Sequence, residues 1–260
     1  MRIEVIGQRL LTGRQCIAEA ALVCAKGLHQ RTEAYAATKV CNGLGGETTL
    51  LAMPQVAAVF AESETALDGL IAFTAAVEDR LSECLRAGTI PSDALVDAIS
   101  VCKIRCIDVA IQRVHALRQE VGSYALMHET GFELVDMLLC CKFAEGDSRI
   151  LQQKLTRDRL KQLRDAGAVS AAVAAVTPGA DREEAMAALT LGRTLGAAGR
   201  DRQKLARAMD ENWRAIYSLA DLVSDRIIRD QPGSAFPEPI VDRMRPASTE
   251  FDKHWKSKLL

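Results

Sequence analysis

Apolar residues recur at every third or fourth position along most of this chain. Between about residues 5 and 35, Ile17, Ala21, Cys24 and Leu28 keep this spacing, and charged residues fall mostly between them. Such a period is typical of an amphipathic helix, whereas a half-buried strand alternates apolar and polar residues. Because few segments alternate in that way, the pattern predicts an all-α protein.

Glycines and prolines divide the first half of the pattern into long helices. The glycine-rich residues 42–46 predict a connection after the first helix, and Pro54 suits the first turn of a second helix that runs to Gly88. A third helix is predicted from residues 91–93 to about Gly122. Helices of comparable length bury their apolar stripes by packing antiparallel, so we expect an up-and-down helical bundle.

Shorter helical pieces are predicted in the second half. The helical spacing of apolar residues is less regular from Gly122 to Gly131. A short, very apolar segment follows from Phe132 to Cys141, and a helix begins near Ser148. These pieces complete the predicted bundle.

The remainder of the chain predicts a smaller helical extension. Residues 168–176 are alanine-rich, helices are expected at residues 181–196 and 201–229, and prolines make the tail that follows irregular. The predicted division is therefore a helical bundle at residues 1–166 and a helical extension with an irregular tail at residues 167–260.

Composition and charge narrow the classes of function. Hydrophobic residues make up 48% of the chain and aromatic residues only 4%, so alanine and leucine must fill much of the core. The formal net charge of −1 gives no field that would recruit nucleic acid, and no basic stripe carries interleaved aromatic residues. No uninterrupted apolar run reaches the roughly 18 residues of a membrane span. We therefore expect no nucleic-acid partner and no membrane-spanning segment.

Eight cysteines raise the question of disulfides or a metal site. We see no secretory leader and no CxxC spacing. Cys102 and Cys106 are four apart on a predicted helix and could chelate a metal, but the four histidines form no ligand pattern with them. We expect reduced and mostly buried thiols in an intracellular, reducing compartment, without a metal site.

Glu145 is the candidate for chemistry. It is followed at once by Gly146, and Asp147 or Ser148 can cap the helix that begins there. The glycine permits close approach of a ligand, and the positive end of the helix dipole favours an ionised carboxylate, as a base requires. The alternative is an acidic residue that serves only the helix start.

Four segments, in order along residues 5 to 165, together resemble the C-terminal helical region of the acyl-CoA dehydrogenase and acyl-CoA oxidase family. They are RLLTGR (residues 9–14), YAATKVCNG (35–43), VGSY (121–124) and FAEGDSRILQQ (143–153). The last is similar to the glutamate–glycine turn of the family in its oxidase-like form. Residues 200–229 are similar in position to an extra helical region of the oxidases.

The resemblance implies an active-site role for Glu145. In the family, the corresponding glutamate removes the proton α to the thioester carbonyl while FAD accepts a hydride from the β-carbon. The same resemblance implies a set of residues that lie against the cofactor, namely Lys39, Gly43, Gly122, Gly146 and Asp147.

Several departures from the family pattern weaken flavin binding by this chain alone. The flavin-holding β-domain and the earlier helical domain of the family have no counterpart in the sequence. Lys39 replaces an arginine that reaches the flavin phosphates of a neighbouring subunit, and it loses the two-pronged donor geometry. Asn42 replaces an aromatic residue, Ser123 replaces a glycine, and Asp147 adds negative charge near the phosphates. We expect FAD only with a partner chain, and none on the isolated chain.

Two functions remain open at this point. The first is a C-terminal component of a flavin-dependent acyl-CoA dehydrogenase or oxidase, which acts on acyl-CoA when a partner supplies the flavin domain. The second is a catalytically silent helical scaffold or accessory subunit of a larger assembly. A protein partner or a homo-oligomer is expected in both cases.

Overall fold

The computed structural model describes residues 2–43, 45–167, 181–199 and 201–231, with side chains from residue 9 onward. These residues are predominantly helical, so the predicted all-α fold is confirmed. The alanine-rich residues 168–176 and the proline-containing tail lie outside the described residues.

Nine α-helices are present in the described residues. They are α1 (Arg2–Thr38), α2 (Pro54–Ala87), α3 (Asp93–Val101), α4 (Ile107–Val121), α5 (Val135–Cys140), α6 (Ser148–Ala166), α7 (Arg182–Gly196), α8 (Arg202–Glu211) and α9 (Trp213–Arg229). Short 3₁₀ segments lie at Leu50–Ala52, Gly122–Leu126 and Phe132–Leu134. Within these ranges, no helix is long and apolar enough to cross a membrane.

The glycine-rich connection after α1 is a β-hairpin, which the sequence pattern did not predict. Strands β1 (Val40–Gly43) and β2 (Gly46–Thr49) pair antiparallel, with Gly43 opposite Gly46. Gly46 has a φ of 108°, a conformation that favours glycine. Both strands are short and largely exposed, so they carry no apolar alternation that would reveal them.

The predicted limits of the second and third helices are confirmed. Pro54 is the first residue of α2, and Gly88 ends it with a φ of 64°. The Ser92 side chain caps α3 by accepting a hydrogen bond from the Leu95 amide. A π-helical turn at Cys102–Cys106 joins α3 to α4, so that one continuous helix runs from α3 through α4.

The main core lies between α1, α2 and the continuous α3–α4 helix, which contact one another along their lengths. Four alanines of α1 are buried there and allow close helix packing, namely Ala18, Ala21, Ala25 and Ala36. The largest fully buried apolar side chains of this core are Leu22, Leu28, Leu67, Phe73, Ile99, Ile104, Ile107, Leu117 and Leu155.

A second core joins α6 to α7 and α9. Its buried residues include Leu191, Leu219 and Val223, and Leu160 and Leu163 of α6 pack against it. Helix α6 also supplies buried residues to the main core, so it belongs to both. The division of the chain at residues 166 and 167 stays a prediction.

The carboxylate of Glu184 is buried at the centre of the contact between α6, α7 and α9. It forms ion pairs with Arg159 of α6 and with Arg226 of α9, whose Nε donates to Glu184 Oε2 at 2.7 Å. Only 2% of the Glu184 side chain is exposed. A buried charge is tolerated when it is paired in this way, so the triad ties the three helices together.

The single helix predicted at residues 201–229 is two helices in the structure. It breaks at Asn212, which lies between α8 and α9 with φ −106° and ψ 23°. The Asn212 side chain donates to the Ala208 carbonyl oxygen at 2.8 Å and so gives a hydrogen bond to one of the last carbonyl groups of α8. Apolar spacing continues across the break through Met209 and Trp213, so periodicity alone did not reveal it.

The prediction that the cysteines are mostly buried is wrong, although all eight are free thiols. Cys102 and Cys106 are buried, Cys16 and Cys140 are exposed, and the other four are half-buried. Cys140 is exposed because α5 is a short helix whose one buried residue is Leu138.

Candidate functional site

Glu145 lies in the turn at residues 141–147 that connects α5 to α6, here called the Glu145 turn. The residue is exposed and has a φ of 54°, and Gly146 follows with a φ of 106°. A left-handed conformation is uncommon for a residue other than glycine and persists only when its surroundings impose it. The neighbours of the turn must therefore hold it in place.

The Glu145 side chain lies against the backbone of α1 at Gly13. A Cβ atom on Gly13 would be 2.5 Å from Glu145 Cδ and 2.7 Å from Oε2. No larger residue fits at this position unless the carboxylate moves. A glycine inside a long helix costs about 1 kcal/mol relative to alanine. The contact with Glu145 explains why a glycine nevertheless stands at position 13.

Arg14, the next residue of α1, holds the backbone of the same turn. Its Nε donates to the Glu145 carbonyl oxygen at 3.1 Å. Burial lowers the pKa of Arg14, and the negative charge of Glu145 raises it. Two of the four segments that carry the resemblance, residues 9–14 and 143–153, are therefore in direct contact.

Lys103 supports the Glu145 turn from the interior of the bundle. It lies in the π-helical turn, its side chain is buried, and its Nζ donates to the carbonyl oxygens of Lys142 and Gly146. Sequence reasoning missed this residue. A signal was present, because Lys103 interrupts the apolar run Val101, Cys102, Ile104, Cys106 and Ile107 with a charge on the buried side of the helix.

Asp147, and not Ser148, caps α6. Its Oδ1 accepts a hydrogen bond from the Arg149 amide at 2.8 Å, and its carboxylate also pairs with the Arg149 side chain. Hydrogen bonding to Arg149 lowers the pKa of Asp147. Ser148 is buried as the first residue of α6, and its hydroxyl accepts from Lys103.

The other predicted cofactor residues lie at the far end of α1. Lys39 is exposed directly after α1, Gly43 lies in the hairpin, and Gly122, also exposed, follows α4 with a φ of 56°. Stacked rings of Tyr35 and Tyr124, 3.8 Å between centroids, join the two elements at this end.

The six predicted site residues thus form two separate groups. Glu145, Gly146 and Asp147 lie beside Gly13 of α1, whereas the remaining three lie beyond the end of that helix. At 1.5 Å per residue, Gly13 is roughly 38 Å from the last residue of α1. One chain does not bring the two groups together.

The chemistry of the Glu145 turn is that of an exposed carboxylate on an anchored backbone. A carboxylate with its backbone fixed on both sides can remove a proton from a ligand that reaches it. Across the described residues, no group of three histidine, cysteine or acidic side chains could hold a metal ion. An exposed carboxylate on a fixed backbone is suited to acid–base chemistry.

Comparisons of the sequence gave no match, whereas the fold is similar to that of solved structures. No protein-family profile and no curated protein matches the chain. The fold is similar to the crystal structure of LeACX1, an acyl-CoA oxidase from Lycopersicon esculentum (tomato), with a TM-score of 0.62 and 16% sequence identity. It is equally similar to Arabidopsis thaliana acyl-CoA oxidase 1, with a TM-score of 0.62 and 16% identity.

The extent of these matches identifies the part of the fold that is shared. The alignments cover 85% and 87% of this chain but only 39% of either oxidase chain. The chain therefore spans about two-fifths of the length of the oxidases that it resembles. This partial coverage is consistent with a C-terminal helical domain of the acyl-CoA oxidases.

Proposed function

We propose that this chain is the C-terminal helical component of a flavin-dependent acyl-CoA dehydrogenase or oxidase, active with a partner that supplies the flavin domain. The main support for this proposal is the Glu145 turn, where an exposed carboxylate lies on a backbone that Arg14 and Lys103 hold by hydrogen bonds. A residue that serves only a helix start needs no such fixation, because Asp147 already caps α6. The similarity to acyl-CoA oxidases in fold adds support.

In this proposal Glu145 is the general base. Its carboxylate takes the proton α to the thioester carbonyl of an acyl-CoA and holds it as a carboxylic acid. FAD, when bound, would accept the hydride from the β-carbon, which leaves an α,β-double bond. Gly146 keeps the turn free of a side chain that would obstruct the approaching thioester.

The second group of predicted site residues can contact the same FAD as Glu145 only if two chains share each site. Lys39, Gly43 and Gly122 lie at the end of α1 remote from Glu145, too far for one chain to direct both groups at one flavin. Lys39 would offer its charge to the phosphates of a flavin held by a neighbouring chain. An oligomer or a complex with a partner is therefore part of the proposal.

A silent scaffold is the second candidate. It is favoured by Asp147, whose negative charge beside the turn is committed to Arg149 and offers no donor to a phosphate. In this case the bundle contributes only surfaces for assembly, and Glu145 affects only the electrostatics of the α6 start.

Glu145→Gln in the complex isolated from the native source separates the two candidates. The amide is nearly isosteric but cannot take the α-proton, so acyl-CoA-dependent reduction of an artificial acceptor should fall by about 10²–10⁴. Assembly and thermal stability should change little, because helix-end charges contribute roughly 0.3–1 kcal/mol. Turnover that survives the substitution unchanged would refute the catalytic role. A complex without flavin absorbance would favour the scaffold.

A further inference from the structure

Lys103 is a lysine with 0% exposure that lies beneath the Glu145 turn. We infer that Lys103 is a positioning residue, whose ammonium group fixes the backbone of the turn and through it the carboxylate of Glu145. The role of that carboxylate rests on the proposed function. The attachment of the turn is a property of the folded chain and can be measured without flavin or acyl-CoA.

Three hydrogen bonds attach Lys103 to the turn and to the start of α6. Its Nζ lies 2.5 Å from the Lys142 carbonyl oxygen, 2.6 Å from the Gly146 carbonyl oxygen and 3.0 Å from Ser148 Oγ. An ammonium group has three donors, so each finds one acceptor. The two carbonyls bracket Glu145 in the chain, and together these contacts are called the Lys103 clamp.

The Lys142 carbonyl is the point at which the turn closes. Besides Lys103 it accepts from the Ser148 amide at 3.0 Å and from the Ser148 hydroxyl at 3.3 Å. The bond between residues 142 and 148 closes the loop that contains Glu145. Lys103 thus holds the loop at its neck and also at Gly146, directly after the candidate base.

Packing gives no reason for a lysine at this position. Its neighbours in the π-helical turn, Cys102, Ile104 and Cys106, are all buried, and an apolar residue would fill the same space without desolvating a charge. π-Helical turns inside α-helices occur frequently at functional sites. The charge is therefore explained by what it binds, which is the Glu145 turn.

The charged groups around Lys103 come from each element packed against it. Burial lowers the pKa of Lys103 to about 8. Asp147 at the start of α6, Asp108 of α4 and the Cys141 thiol raise it, and Arg14 of α1 lowers it. Below this pH the ammonium has three donors, whereas the neutral amine has two, so one acceptor of the clamp loses its partner.

Hydrogen–deuterium exchange of the isolated chain tests the clamp through Lys103→Met. We expect the amides of residues 141–148 to exchange at least about tenfold faster than in the wild type, while α1 and α2 stay protected. Arg105→Met is the matched control, because Arg105 lies in the same π-helical turn but pairs with Asp221 and Asp225 of α9. Exchange of residues 141–148 that is equal in the wild type and in Lys103→Met would overturn the inference.

A pH series on the unmodified chain decides the question even if Lys103→Met does not fold. After correction for intrinsic exchange, protection of residues 141–148 should fall with a midpoint near the Lys103 pKa of about 8, while α1 and α2 show no such midpoint. A turn whose protection does not change across this pH would overturn the inference.

Carbon NMR of labelled glutamate reads the position of the Glu145 carboxylate itself. Its signal, assigned by its loss in Glu145→Gln, should show an inflection near pH 8 that is lost in Lys103→Met and kept in Arg105→Met. If Lys103 only filled space beneath the turn, the Glu145 signal would show no such inflection. Unchanged turnover in Glu145→Gln would refute the proposed function, whereas these measurements on the isolated chain would still decide on the clamp.

Discussion

The carboxylate of Glu145 occupies the space that a side chain on Gly13 would need, since a Cβ there would be 2.5 Å from Glu145 Cδ. We expect Gly13→Ala to give no net stabilisation, because the gain in helix propensity of about 1 kcal/mol is offset by displacement of Glu145. In a Glu145→Gly background, the same substitution should stabilise the chain by roughly 0.5–1 kcal/mol. Urea denaturation of the four variants measures the coupling.

Gly27→Ala is the matched control for this cycle. Gly27 also lies in α1, but an added Cβ would meet no atom within 4 Å. It should stabilise the chain by roughly 0.5–1 kcal/mol whatever residue stands at position 145. If the effect of Gly13→Ala is equally independent of position 145, the Glu145 side chain does not lie against α1 at Gly13 in solution.

The buried Glu184 makes the second core sensitive to loss of one charge. Glu184→Gln leaves Arg159 and Arg226 without their shared carboxylate, so we expect the free energy of unfolding to fall by about 3–5 kcal/mol. Glu183→Gln alters the exposed neighbouring residue and should change it by less than about 0.5 kcal/mol. Circular dichroism during urea denaturation compares them, and equal effects would show that the triad contributes no stability.

Thiol reactivity should follow exposure and pKa. Cys140 should react first with a small alkylating reagent, because it is exposed. Cys16 should follow more slowly, because partial burial and the charges of Glu19, Glu78 and Glu145 raise its pKa. Cys102 and Cys106 should react only after denaturation, since burial also raises the pKa of Cys102 well above its usual value. Mass spectrometry of a labelling time course checks the order, and early labelling of Cys102 would contradict it.

The pH dependence of stability should carry the signature of Lys103. Its pKa is about 8 in the folded chain against an ordinary value of 10.5, so between these values the unfolded chain binds more protons. The stability of the wild type relative to Lys103→Met should therefore rise with pH across this window. At 1.36 kcal/mol per unit the rise is at most about 3–4 kcal/mol. A difference between the two proteins that does not vary with pH would contradict the buried, protonated lysine.

Local chemistry could be predicted from the sequence, whereas long-range contacts could not. The starts of α2 at Pro54, of α3 at residues 91–93 and of α6 near Ser148 depend on neighbouring residues, and each is predicted to within a residue or two. The break at Asn212 was missed because apolar spacing continues through it.

The candidate site, too, could be predicted from the sequence only where it depends on neighbouring residues. Glu145 was found from its own segment, but Gly13 and Lys103 approach it from two other helices. A glycine in α1 and a lysine in α3–α4 look like ordinary helix residues when the neighbours in space are unknown. The resemblance placed Lys39 and Glu145 in one functional set, yet only the length of α1 shows that one chain keeps them apart.

The length of α1 has a consequence for genetic complementation. In the proposed function, each flavin site of an assembly with two copies of this chain would draw Glu145 from one copy and Lys39 from the other. A Glu145→Gln chain and a Lys39→Ala chain, each inactive when assembled alone, would then restore one intact site in every mixed pair. Random assembly of equal amounts gives activity at about a quarter of all sites, so two defective alleles would together yield a working enzyme.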